Sequence, residues 1–180
     1  MTKLEKLLSQ YAAYHLDRKN VYTHFLGIPL IIFSVMCVLS RWGVYVYELD
    51  VTLALLVLIA STAYYISLDK GLGIVISVLF AIAYPFAAFI GQLSFTTWIT
   101  WSVGLFVVGW VFQFIGHIYE KKKPAFVDDL TGLVVGPLFV VAELVFLLGY
   151  RKSLERTITQ EGKRQRALMD QAAKTVHPSY

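Results

Sequence analysis

The chain has 180 residues, of which 57% are hydrophobic and 16% charged, well below the roughly 25% charged residues of ordinary globular chains. A mean hydropathy of +0.63 argues against a water-soluble domain and for a small polytopic membrane protein. The net charge of +4 gathers at the termini and in short connections, with no basic stripe interleaved with aromatic residues, so nucleic acid is excluded as a partner.

Residues 2–14 place Leu4, Leu7, Leu8, Tyr11 and Tyr14 on one helical face, with Lys3, Glu5, Lys6 and Gln10 opposite. This spacing predicts an amphipathic helix lying on the membrane surface or against the bundle. A polar start containing Glu5 and Asp17 does not read as a signal peptide, so the chain is expected to insert through its own spans. Asp17 to Asn20 breaks the helix, and Asn20 suits the role of cap for the next one. The first span is expected at about 21–40, opening with His24 and carrying Gly27 and Pro29 in its first turns, where proline is tolerated. Its Cys37 is the single cysteine and reads as a small core hydrophobe, with no intrachain disulfide possible.

Arg41 to Asp50 forms a connection whose Trp42, Tyr45 and Tyr47 suit the membrane interface. The second span covers about 51–68, and Asp69-Lys70-Gly71 makes a tight link to a third that ends near Gly91. The fourth, about 98–117, is anchored by Trp98, Trp101 and Trp110. A fifth apolar segment at 130–150 differs from the rest: Gly132, Gly136 and Pro137 interrupt it, and Glu143 lies inside it and needs a partner. The tail from Arg151 holds seven Lys/Arg against three acids and is expected to be helical up to His177-Pro178.

The fold class read from this pattern is all-α: a polytopic transmembrane helical bundle of four to five membrane segments, with an amphipathic N-terminal helix and a polar C-terminal one. A single integral-membrane domain spans 1–180, divided into an N-terminal segment (1–20), the bundle (21–150) and a basic tail (151–180). Four Lys/Arg precede the first span and three follow the fourth, against Arg41 alone on the other side; the N-terminus is therefore placed in the cytoplasm. His24 and His117 then share that face. Five full crossings would carry the basic tail to the opposite side. A fifth segment that dips in at Gly136-Pro137 and returns removes the conflict, and a simple fifth crossing is the other possibility.

Three of the four histidines fall in two polar stretches, His15 to Pro29 and Gln113 to Asp128. Histidine at such depth is costly unless paired or ligating. At about 100° per residue, His15 and His24 would lie on opposite faces of one continuous helix, so both reach one site only across a break. Asn20 and His24 share a face, as do Gln113 and His117, with Glu120 one turn beyond. Imidazole suits zinc, copper or iron, while amides and carboxylates serve as weaker ligands or orienters. Three histidines can hold one metal with open positions and are too few for a dinuclear site. Glu143 reads as a ligand, an orienter in or next to the site's outer shell, or the partner of a basic residue. Lys121–Lys123 are membrane anchors or hold a fatty carboxylate or phosphate headgroup. His177 is expected outside the site. A reading of another class stays open: a non-catalytic lipid-binding or scaffold protein of the membrane, its histidines structural.

The order His15…Asn20…His24…Gly27-Ile-Pro29, then Gln113-Phe…His117…Glu120-Lys…Pro124-Ala and Gly136-Pro137-Leu-Phe, resembles the family of small membrane-bound iron(II)-dependent 2-hydroxy fatty acid dioxygenases. The resemblance covers about residues 10–150. It implies an oxidoreductase of fatty acid alpha-oxidation, with a 2-hydroxy fatty acid and O2 as substrates and a fatty acid one carbon shorter as product. It further implies Fe2+ on His15, His24 and His117 as the catalytic centre, with Asn20, Gln113 and Glu120 in support. Eukaryotic members act in phytosphingosine breakdown at the endoplasmic reticulum, so that membrane or a bacterial inner membrane is the expected location, with membrane lipid as surroundings.

Overall fold

In the computed structural model, residues 1–47, 49–127, 129 and 131–176 are described, and most of them are helical. The order is α1 (Lys3–Ala12), α2 (Arg18–Leu39), β1 (Gly43–Val46), β2 (Leu49–Thr52), α3 (Leu53–Leu68), α4 (Lys70–Gly91), α5 (Phe95–Glu120), a 3₁₀ turn (Ala125–Val127), α6 (Thr131–Leu147) and α7 (Lys152–Val176). Two compact units emerge: Met1–Tyr22 with Ile115–Tyr180, and Thr23–Phe114.

The second unit holds the long apolar helices. α2, α4 and α5 are each long and apolar enough to cross a membrane, and α3 is a shorter apolar helix of 16 residues. At most 28% of the best window in each of the three is buried inside the protein, so their exposed Leu, Ile, Val and Phe side chains need hydrocarbon around them. This is the helical membrane architecture expected from the sequence. Met36 and Cys37 of α2 pack on Ala87 of α4, with Ile32, Phe33, Leu58 and Phe80 around them. The indole N–H of Trp98 donates to the Cys37 carbonyl at 2.8 Å. Arg41 donates to the carbonyls of Gly91 and Leu93 at 3.1 and 2.9 Å and lies over the Trp98 ring. α2 and α5 meet at two glycines: a Cβ on Gly27 would sit 2.7 Å from the Gly109 carbonyl oxygen, and one on Gly109 would sit 2.9 Å from that of Gly27.

The connection after α2 is not a plain loop. β1 and β2 pair antiparallel from Gly43↔Thr52 to Val46↔Leu49. The run Val44-Tyr45-Val46 and the Val51-Thr52 pair are residue types that favour strands, a signal the helical reading passed over. Tyr45 and Tyr47 are exposed, as interface aromatics should be.

In the first unit α1 packs on α6 and α7. Thr2 and Glu5 close a reciprocal cap on α1. Leu4, Leu8 and Tyr11 are buried together with Leu138, Phe139 and Phe146 of α6 and Leu154 and Ile158 of α7. Where α1 crosses α7, a Cβ on Gly162 would meet that of Ala12 at 3.0 Å. The fifth segment corrects an expectation, because α6 runs unbroken through Gly136 and Pro137. An interior proline costs about 3 kcal/mol, but Val135, Leu138, Phe139, Val140 and Val141 are all buried, each contributing about 1.5–3 kcal/mol. Burial outweighs the break.

α1 and α7 touch each other, which an odd number of full crossings between them would forbid. We expect single cysteines replacing the exposed Lys6 and Gln160, in a Cys37→Ser background, to react with a membrane-impermeant thiol reagent from the same side. Labelling from opposite sides would show that α6 crosses.

Candidate metal centre

α1 ends at Ala12 and α2 begins at Arg18, so His15 stands in a five-residue non-helical link. The link starts as a tight turn, with the Tyr14 and His15 N–H groups donating to the Tyr11 and Ala12 carbonyls at 3.1 and 2.9 Å. The imidazole folds back over α1, its Nδ1 lying 2.7 Å from the Tyr11 carbonyl oxygen. A carbonyl can only accept, so Nδ1 carries a proton, and in the neutral ring Nε2 is the nitrogen with the lone pair. That is the tautomer a metal ligand needs, fixed by a backbone partner. The ring lies flat on that of Tyr11, with centroids 4.1 Å apart and planes 4° from parallel, and Phe139 touches it from α6.

His117, on the last turns of α5, presents its ring edge-on to His15 with centroids 5.0 Å apart. His24 follows Asn20 by one turn of α2. His15, His24 and His117 are 4%, 1% and 8% exposed, and each offers a ring nitrogen such that all three lie within 4.8 Å of one another. Ligands about 2.1 Å from one ion are no more than about 4.2 Å apart, so sub-ångström ring movement would bring the three to a common centre. Among the described residues this group contains no carboxylate. Three buried imidazoles this close cannot all be protonated without strong repulsion, and a divalent cation suits the lone pairs they converge. The donor set fits a metal.

Glu120 and Asn20 are engaged with each other. Glu120 Oε2 accepts from the Asp17 backbone N–H at 2.8 Å and from Asn20 Nδ2 at 3.1 Å; its Oε1 accepts from Arg166 Nη1 at 2.9 Å. Asn20 Nδ2 also reaches the Tyr14 carbonyl at 3.3 Å. Asn20 therefore lies inside α2 and is not its cap. Asp17 takes that place, its carboxylate accepting from the Lys19 N–H at 2.7 Å, because a side chain two residues ahead of that amide reaches it most directly. Gln113, one turn before His117, is buried, and its side-chain nitrogen has no hydrogen-bond partner among the described residues. It rests against Gly27, where a Cβ would come within 2.2 Å of that nitrogen.

Glu143 is only partly buried, and the charge that acts on it is the carboxylate of Glu155 at the start of α7. The expectation that a broken fifth segment would return it to the histidines loses its basis, since α6 is continuous. Lys122 pairs with Asp170 of α7, and His177 lies outside the described residues.

Two residues were not singled out from the sequence as part of this region. Tyr11 counted only as part of an apolar face, though its place four residues before His15 is the spacing that lets its carbonyl reach the imidazole. Burial pushes its phenol well above the usual tyrosine range, so it stays neutral. Arg166 was one of seven basic residues in a polar tail, and nothing in a single sequence separates it from the other six. A cleft of about 170 Å³ between α1, α6 and α7 is lined by Tyr11, Tyr14, Val135 and Gln165. It is smaller than the roughly 300–1,000 Å³ of sites that bury a whole small molecule.

Residues 1–148 match the family described as 2-hydroxy-palmitic acid dioxygenase Mpo1-like. Over 160 residues the chain is 34% identical to a Saccharomyces cerevisiae protein named 2-hydroxy-palmitic acid dioxygenase MPO1, with 88% of each chain covered. No solved structure matches. The stretch matching the family contains the three histidines, Asn20, Gln113, Glu120 and Glu143, and stops short of α7.

Apoprotein titrated with Co(II), followed by visible absorption, is expected to take up one ion per chain. Replacing His15, His24 or His117 with Ala removes a ligand and should weaken binding by more than the roughly 10–100-fold typical of losing an outer partner. Unchanged affinity in any one of the three variants would remove that residue from the centre.

Proposed function

The chain belongs to the Mpo1-like family of 2-hydroxy-palmitic acid dioxygenases, and from that premise we propose that it cleaves 2-hydroxy fatty acids with O2 to the fatty acid one carbon shorter. The observation that carries this reading is the buried group His15, His24 and His117, whose ring nitrogens converge within 4.8 Å, with the His15 imidazole held by the Tyr11 carbonyl. In this reading the three imidazoles hold Fe2+, which when bound supplies the one-electron chemistry that lets O2 react with a closed-shell substrate.

What the protein's own residues contribute follows from charge and burial. Three neutral imidazoles leave the charge of a divalent ion uncompensated. Glu120 does not offset it, because its carboxylate is already paired with Arg166. The negative charge missing from the centre would then be supplied by the substrate carboxylate, with the alkyl chain left to apolar surroundings. The low exposure of the histidines keeps bulk water away and strengthens that attraction. Gln113, whose buried side-chain nitrogen has no partner among the described residues, has a donor to offer to a substrate oxygen or to O2. The Lys/Arg excess before α2 and after α5 supports a centre on the cytoplasmic face, where a 2-hydroxy acid dissolved in the bilayer brings its polar head.

The test is direct. Purified protein reconstituted anaerobically with Fe(II), then given O2 and 2-hydroxypalmitate, is expected to form pentadecanoic acid, detected by mass spectrometry. His24→Ala and His117→Ala should insert and fold yet form at least about 100-fold less, in line with the loss of a group that acts in the reaction itself. Absence of product from the reconstituted protein, or turnover surviving in both variants, would overturn the proposal. In the first case the non-catalytic lipid-binding reading takes its place.

A further inference from the structure

His24 and His117 stand on long helices whose backbone hydrogen bonds fix them. His15 does not. It projects from the link 13–17, and a ligand on a loop is only as well placed as the contacts that hold the loop. Those contacts lie on both sides of it. Ahead of His15, the Ala13 carbonyl accepts from Arg166 Nη1 at 2.8 Å. Just before it, the Tyr14 carbonyl accepts from Asn20 Nδ2. After it, the Asp17 N–H donates to Glu120 Oε2. Glu120 is in turn gripped twice by the same guanidinium, through Nη1 to Oε1 at 2.9 Å and Nη2 to its own carbonyl oxygen at 3.2 Å.

We propose that Arg166, delivered by the C-terminal helix α7, is a positioning residue of the metal centre: through the Ala13 carbonyl and Glu120 it clamps the His15 link at both ends. The inference rests on reading the three histidines as a metal site. It makes α7 part of the centre, although α7 lies beyond residues 1–148 that match the family. A planar fork can serve two carbonyls and a carboxylate at once, which the point charge of a lysine cannot. Side-chain exposures of 15% for Arg166 and 2% for Glu120 put the pair where screening by solvent is weak.

α7 also docks through Leu154, Ile158 and the Gly162–Ala12 contact, so clamping can be separated from folding. Full-length apoprotein in detergent is titrated with Co(II), with far-UV circular dichroism and thermal unfolding recorded alongside. Arg166→Gln should keep its helix content, bind Co(II) about 10–100-fold more weakly and show a shifted Co(II) absorption band. Arg166→Lys should recover part of that loss. Glu120→Gln combined with Arg166→Gln should lose little beyond the worse single variant, as expected of residues acting through one contact. Leu154→Ala lowers stability through the core without touching the link and should leave Co(II) affinity unchanged.

The positioning role is overturned if folded Arg166→Gln binds Co(II) like the wild type with the same band. It is equally overturned if Leu154→Ala weakens binding as much at matched stability. Should Arg166→Gln not fold, Arg166→Lys against Leu154→Ala decides by the same criterion. Failure of the wild-type protein to bind Co(II) at all would remove the metal-site reading itself, a result distinct from unchanged binding in the Arg166 variants.

Discussion

A carboxylate withdrawn from water organises the first unit. The Glu120 side chain is 2% exposed, and an ionised carboxylate at such depth is unfavourable by several kcal/mol unless it is paired and its remaining lone pairs are used. All of that compensation comes from elsewhere in the chain: the Asp17 amide, the Asn20 amide and the Arg166 guanidinium. The end of α5, the start of α2 and the middle of α7 must therefore take up one arrangement for the carboxylate to be tolerated at all. A buried ion pair is weak evidence for added stability but good evidence for specificity, because removing one partner leaves the other charged and unpaired. Here the specificity falls on the link that carries His15.

The second unit obeys a different constraint. Its helices leave most of their apolar surface uncovered by protein, so packing between them contributes through close contact and a few polar bonds more than through exclusion of water. The Gly27–Gly109 crossing and the Trp98 to Cys37 hydrogen bond are of this kind. The first unit has a soluble protein's logic, with α1 burying Leu4, Leu8 and Tyr11 against α6 and α7. One short chain thus combines two ways of holding helices together, and the proposed ligands stand near the ends of apolar helices or in the link beside them.

Much of this was legible from residue order alone. Apolar runs located α2 to α6 within a few residues, because a helix long enough to enter a bilayer leaves an unmistakable stretch of hydrocarbon side chains. The grouping of His15, His24 and His117 followed from a break between the first two and a shared face for the second and third. Asn20 as a cap and a break at Gly136-Pro137 were inferred from local chemistry and decided by partners remote in sequence, whereas the strand pair in the connection at 41–50 is local and its Val44-Tyr45-Val46 signal went unread. Asn20 meets Glu120 100 residues away, and α6 is held straight by burial along its length. Arg166 is the extreme case, since its partners Ala13 and Glu120 lie 153 and 46 residues distant.

The same arrangement explains why a polar tail can belong to a centre at the membrane. A loop is mobile unless its backbone groups are engaged, and hydrocarbon offers no partners for them. They have to be met by polar side chains, here Asn20 of α2 at the Tyr14 carbonyl, Glu120 of α5 at the Asp17 N–H and Arg166 of α7 at the Ala13 carbonyl. An arginine is the side chain whose reach and donor count meet two carbonyls and a carboxylate together. Pairing Glu120 in this way also prevents its charge from competing with an incoming fatty carboxylate. The residue that holds the loop and the residue that neutralises the neighbouring acid are thus the same one.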